Sequence, residues 1–279
     1  MRQPSPILVA DLFPTLDNHL LSLLRGLTPG DWAQATVCAG WSVKDVAGHL
    51  LDTATRRLSF ARDRHVPPGP PPDLDTHAKV GAFVNAVNRA GVDFYRGVSP
   101  RHLIDLMEAT TARLHEYFRG LDPYAEATFG VSWAGESRSL VWFDVAREFT
   151  ERWHHQQQIR DAVGAEPITT REFLHPVLDT FMRALPHASR HVQAADGTLW
   201  KVEVTGPAAD AWFLHRETGA WRLCVDASQA PGATASLAGD DAWRLFTKGF
   251  DRSGQKPAVL TEGDPAIDDV IRAMRCIVG

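Results

Sequence analysis

The chain has 279 residues, 23% of them charged, and a formal net charge of -5 at pH 7, which is length enough for one large domain or two ordinary ones. That acidic balance provides no basic footprint for a phosphate backbone, so nucleic acid is excluded as an expected partner. Cys38, Cys224 and Cys276 are odd in number and far apart; they indicate neither a disulfide framework nor a thiolate zinc site and fit a reducing cytoplasm.

The N-terminus leads into a pattern broken by Asp11, Asp17 and Asn18, unlike a signal peptide, and no run is long enough to cross a bilayer. The expectation is therefore a cytoplasmic protein without a membrane partner, either monomer or homodimer. Ile7, Leu8, Leu12, Leu16, Leu20, Leu23 and Leu24 recur at three- and four-residue steps and predict a first helix over 7–27, kinked by Pro14. Thr28 to Trp32 reads as a stop and a short helical turn. Ser42 is a good N-cap for the next helix, with Asp45 in the capping-box position. Val43, Val46, Ala47, Leu50, Ala54 and Leu58 form its buried side, and His49 sits at the border, where a histidine by itself reads as a structural residue.

The proline-rich run 66–73 predicts an extended loop. Val80, Phe83, Val84, Val87, Ala90 and Phe94 predict a helix after about Thr76. Ser99 and Pro100 supply the N-cap and first position of another, which Leu103, Leu106, Met107, Leu114, Tyr117 and Phe118 carry to Gly120. Residues 121–139 are mixed and lead to the stretch with the most chemistry.

Residues 140–163 predict one helix with two unlike sides, ending at Gly164. At about 100° per residue, Trp142, Val145, Ala146, Phe149 and Trp153 fall on a core stripe. Roughly opposite lie Asp144, Glu148, Glu151 and His155. Glu151 and His155 stand one turn apart, so a carboxylate and an imidazole can reach one divalent ion. The same face also fits plain solvated ion pairs, Arg147 with Glu151 and Glu148 with Arg152. On spacing alone both readings stand.

A further helix is predicted over 169–189. After about 195 the texture becomes short, aromatic and β-branched: 199–205, 211–215 and 220–225 read as strands, 238–249 and 265–278 as helices, and 258–260 as a strand between them. The expected architecture is α+β in two domains, a helical bundle over 1–190 and a small α+β domain over 195–279.

Cys38-Ala-Gly-Trp-Ser-Val-Lys-Asp-Val-Ala-Gly-His49-Leu near the front and Glu151-Arg-Trp-His-His155 later resemble the DinB-like four-helix-bundle superfamily, and within it the mycothiol-dependent maleylpyruvate isomerases. The resemblance implies a metal-binding helical domain followed by a smaller α+β domain. It also implies that His49, Glu151 and His155 form a three-ligand site for a divalent metal, zinc first among candidates, with His154 as the rival ligand. A low-molecular-weight thiol, mycothiol in this branch, is then the implied cosubstrate. An electrophilic small molecule is the implied substrate, in an S-transfer or a cis-trans isomerisation. The alternatives are a metal-assisted hydrolase, with Glu148 or Asp144 as base, and a non-catalytic small-molecule-binding or stress protein. Cys38 has no evident base beside it and reads as a small buried thiol. Trp41 reads as a packing anchor, and His175 has no assigned role.

Overall fold

Thr28 and Ser42 each open a helix by the same device. The side chain accepts a hydrogen bond from the backbone N–H three residues on, while the Asp31 or Asp45 carboxylate accepts one from the cap residue's own backbone N–H. These are the starts of α2 (Pro29–Ala33) and α3 (Val43–Arg57). Ser99 caps α5 (Pro100–Arg119), with proline in its first turn as expected. Before them, α1 covers Phe13–Gly26. Pro14 does not kink it; it sits in the first turn, where its missing N–H is no loss. The computed structural model describes residues 1–66, 77–247 and 257–277. The expected loop over 66–73 thus lies, beyond Val66, outside the described residues, as do the last residues of the helices expected over 238–249 and 265–278.

Two compact units emerge. One takes in Ala10–Asp122 and Glu151–Pro167, the other Met1–Val9, Pro123–Thr150 and Ile168–Ile277. These do not coincide with segments 1–190 and 195–279, because the chain passes from one unit to the other several times. One crossing falls inside α6 (Val141–Val163).

In the helical unit, α3 lies against both α4 (His77–Arg96) and α5, and α1 packs on α5. Leu20, Leu24, Val46, Leu50, Leu103 and Met107 belong to one buried cluster. The α3–α4 contact is close because both helices contribute a glycine. A Cβ on Gly48 would stand 2.9 Å from the Tyr95 Cβ, and one on Gly91 would collide with the Asp52 carboxylate. Since α4 presents Gly91, Val92 and Tyr95 to this packing, the stripe that its spacing suggested is left partly outside, with Phe83 42% and Phe94 70% exposed.

From Arg152 to Arg160 every residue of α6 is buried, although only Trp153 and Ile159 are apolar. Three of the polar side chains bond to α1. Arg152 Nε donates to Asp17 Oδ1 at 2.9 Å, Gln156 Nε2 to the Leu16 carbonyl at 3.0 Å, and Arg160 Nη2 to the His19 carbonyl at 3.3 Å. Residues 152, 156 and 160 are one turn apart, so a single polar seam holds the two helices together. The solvated-face reading fails here: Arg147 bonds to Asp144 at 2.5 Å and Glu148 at 3.1 Å, Arg152 turns to Asp17, and the His155 end of the face is buried.

The other unit carries β1 (Leu199–Thr205), β2 (Asp210–Glu217), β3 (Ala220–Cys224), β4 (Ala233–Ala238) and β5 (Val259–Gly263) in the order β3-β2-β1-β4-β5. Only β1 and β4 pair parallel, with Val202 opposite Ala235; the remaining pairs are antiparallel. The helix expected over 169–189 is two pieces, α7 (Arg171–Met182) and α8 (Leu185–Ala188). With α9 (Gly239–Phe246) and α10 (Ala266–Ala273) they join the sheet in this unit. Trp212 Nε1 donates to Asp179 at 2.8 Å, and His175 Nε2 meets Asp210 Oδ2 at 2.6 Å, so His175 brackets α7 to the start of β2. No described helix is long and apolar enough to cross a membrane.

The α3 cap yields a stability prediction. Burial pushes the Asp45 carboxyl up, but hydrogen bonds from Arg96 and Ser42 outweigh it and leave its pKa below the ordinary 3.8. A carboxylate with a depressed folded pKa contributes stability above its unfolded pKa and loses it as pH falls through the folded one. Asp45→Ala is therefore expected to cost about 1–2 kcal/mol at pH 7, a difference that narrows below about pH 4. Urea unfolding at both pH values checks it; an undiminished loss in acid would contradict it.

Candidate metal centre

His49 is carried on the second turn of α3, and the capping box at Ser42 and Asp45 fixes where that helix begins. Glu151 and His155 come from successive turns of α6. Among the described residues, these three form the group whose potential ligand atoms converge, all within 4.8 Å of one another. His155 Nε2 lies 3.5 Å from Glu151 Oε2, and the His49 and His155 rings meet edge to face with centroids 4.8 Å apart. All three residues belong to the helical unit. His49 and His155 are buried, while the Glu151 side chain remains 30% exposed.

The electrostatics follow from this crowding. Burial, and then the charge of His155, push the pKa of His49 well below the ordinary imidazole value, so His49 is neutral. Burial acts to raise the Glu151 pKa, but the charges and hydrogen bond supplied by the neighbouring histidines outweigh it and keep the carboxyl ionised. Burial also opposes charge on His155; its interactions with Cys38 and Glu151 outweigh that and raise its pKa. In the metal-free chain the site is thus a carboxylate–imidazolium pair beside a neutral imidazole.

A divalent ion suits this set. Two imidazoles and one carboxylate are donors that zinc and its neighbours accept, and three protein ligands leave coordination positions open. The buried Nδ1 of His49 has no hydrogen-bond partner among the described residues. The rival His154 lies beside His155, with ring centroids 4.1 Å apart and its Nε2 4.0 Å from Glu151 Oε2, yet it does not enter the converging group. The other base candidates are engaged, Asp144 and Glu148 both bonding to Arg147.

Three side chains support this group. Trp41 packs on the His49 ring with centroids 5.0 Å apart, as an anchor should. Gln158 Oε1 lies 2.7 Å from His155 Nδ1. Cys38 is half-buried rather than buried, and its thiol donates to that same Gln158 oxygen at 3.1 Å. Gln158 was not singled out by sequence; the usable signal was its place three residues after His155, on the same helix face.

A family model described as the mycothiol maleylpyruvate isomerase N-terminal domain matches residues 13–160. Among curated proteins, the uncharacterized protein Rv0036c of Mycobacterium tuberculosis strain ATCC 25618 / H37Rv is 29% identical over 227 residues. The match spans 80% of this chain and 82% of the relative; MT0041 of strain CDC 1551 / Oshkosh matches equally. Among solved structures, the crystal structure of a mycothiol-dependent maleylpyruvate isomerase superposes with a TM-score of 0.54 at 13% identity. The superposition covers 91% of this chain and 92% of that one. A histidine-to-alanine mutant of the mycothiol-dependent maleylpyruvate isomerase gives 0.52 at 14% identity with the same coverage. The two-domain α+β fold is thus shared.

Proposed function

Because this chain belongs to the mycothiol maleylpyruvate isomerase N-terminal domain family, we propose that it is a metal-dependent enzyme that uses mycothiol to transfer to, or isomerise, an electrophilic small molecule. The observation that carries the reading is the convergence of His49, Glu151 and His155, whose potential ligand atoms lie within 4.8 Å of one another.

His49, Glu151 and His155 would hold the ion. Two of the ligands are neutral when metal is held and one is anionic, so the site keeps net positive charge. Bound there, a divalent cation, zinc in the simplest case, supplies the charge that lowers the pKa of a thiol at its open position. The protein's own part is preparation. His155 would release its Nε2 proton to solvent on loading, while its Nδ1–H would keep donating to Gln158 Oε1. Burial keeps His49 unprotonated and ready as a donor, and Trp41 holds its ring in place. Glu151, at the exposed edge of the group, supplies the one negative charge. Isomerisation and S-transfer to an activated alkene would share the first event, addition of thiolate to the double bond; in isomerisation the resulting carbanion would rotate and expel the sulfur, whereas in transfer it would take up a proton from solvent and keep it.

The test is turnover of a panel of activated alkenes and other electrophiles, with metal and mycothiol each present or absent. Turnover is expected only when both are supplied. Metal-dependent turnover that is identical without thiol would overturn the reading in favour of water activation, and ligand binding without any product would favour a non-catalytic binding protein.

A further inference from the structure

We infer that Gln158 is a positioning residue of the metal centre, holding His155 in the one tautomer whose Nε2 lone pair faces Glu151 and His49. The inference rests on the metal reading above and concerns the chain's residues alone.

Gln158 Oε1 is an acceptor with no hydrogen of its own, so at 2.7 Å from His155 Nδ1 it requires the hydrogen to sit on Nδ1. In the neutral ring the lone pair is then on Nε2, the nitrogen 3.5 Å from Glu151 Oε2. The amide could in principle be turned to present its NH2 instead. Cys38 argues against that: its thiol donates to the same oxygen at 3.1 Å, so two separate donors converge on one acceptor. Gln158 is only 4% exposed, which shields this pair of hydrogen bonds from competing water. A turned amide would cost the thiol hydrogen this acceptor and push the imidazole hydrogen onto Nε2, the atom needed for a ligand bond. Partners of this kind on the far nitrogen fix a ligating histidine's tautomer and orientation, and their loss typically weakens metal affinity about 10–100-fold.

The experiment measures zinc affinity by competition with a chromophoric chelator for wild type, Gln158→Leu, Gln158→Glu and His155→Ala. Histidine 15N NMR of the zinc-loaded wild type accompanies it. Gln158→Leu is expected to bind about 10–100-fold more weakly. Gln158→Glu, which keeps an acceptor oxygen on Nδ1–H, is expected to retain wild-type affinity or better. The NMR spectrum is expected to show His155 ligating through Nε2 with its hydrogen on Nδ1. Wild-type affinity in Gln158→Leu while His155→Ala loses zinc would overturn this inference alone; equally weak binding by wild type and His155→Ala would overturn the metal reading beneath it. Should Gln158→Leu fail to fold, ligation through Nδ1 in the wild type, or a loss of affinity in Gln158→Glu as large as in His155→Ala, overturns the inference without it.

Discussion

His155→Ala is expected to leave a folded protein that no longer retains metal after dialysis and has no measurable thiol-dependent turnover. In the proposed site His155 supplies one of three protein donors, and its loss would remove a direct bond, so affinity should fall by more than the roughly 10–100-fold typical of a supporting residue. Folding should survive. The partner left behind, Glu151, has a side chain 30% exposed and can be hydrated, so no charge is stranded in the core. Glu151→Gln tests the other half of the pair, keeping the shape while removing the only negative charge among the ligands; it should also lose metal. Elemental analysis beside circular dichroism separates the two effects, and wild-type metal content in His155→Ala would remove that residue from the site.

The largest stability effect is expected at Asp17. Its Oδ1 accepts from Arg152 Nε at 2.9 Å and its Oδ2 meets His115 Nε2 at 2.6 Å, with Asp17 2% and Arg152 4% exposed. Removing one member of a buried, hydrogen-bonded ion pair costs about 3–5 kcal/mol, because the other charge remains without solvent. Asp17→Ala should therefore lower the urea midpoint severely. Arg152 is the neighbour of Glu151, so the same seam holds the turn of α6 that carries Glu151 and His155 against α1. A loss below about 1 kcal/mol, the range of an exposed ion pair, would show that Arg152 finds water or another partner.

What the sequence revealed is mostly what is local. The caps at Ser42 and Ser99, the short turn after Thr28 and the end of α6 at Gly164 depend on neighbours within a few residues, and each stands as read. Strand β4, Ala-Thr-Ala-Ser-Leu-Ala, has little β-branched or aromatic content. It is held by pairing with β1 and β5, which overrides weak local preference. The polar end of α6 looked like a solvent face because its partners, Asp17 and the carbonyls of Leu16 and His19, lie more than a hundred residues away. At the candidate site, the Glu151–His155 pair was visible from helical spacing. His49 was not, since nothing within its own helix separates a ligand from a border histidine, and only the resemblance paired it with α6. Gln158 and Cys38 became meaningful once folding had brought residues 38 and 158 to one oxygen.

The most direct test of the central claim is optical. Cobalt-substituted protein would be titrated with mycothiol while sulfur-to-cobalt charge-transfer absorption is followed, with His155→Ala as the control. The band is expected to grow to saturation at one thiol per chain in wild type and to be absent in the variant. A wild-type cobalt spectrum that mycothiol leaves unchanged at any concentration would contradict the account.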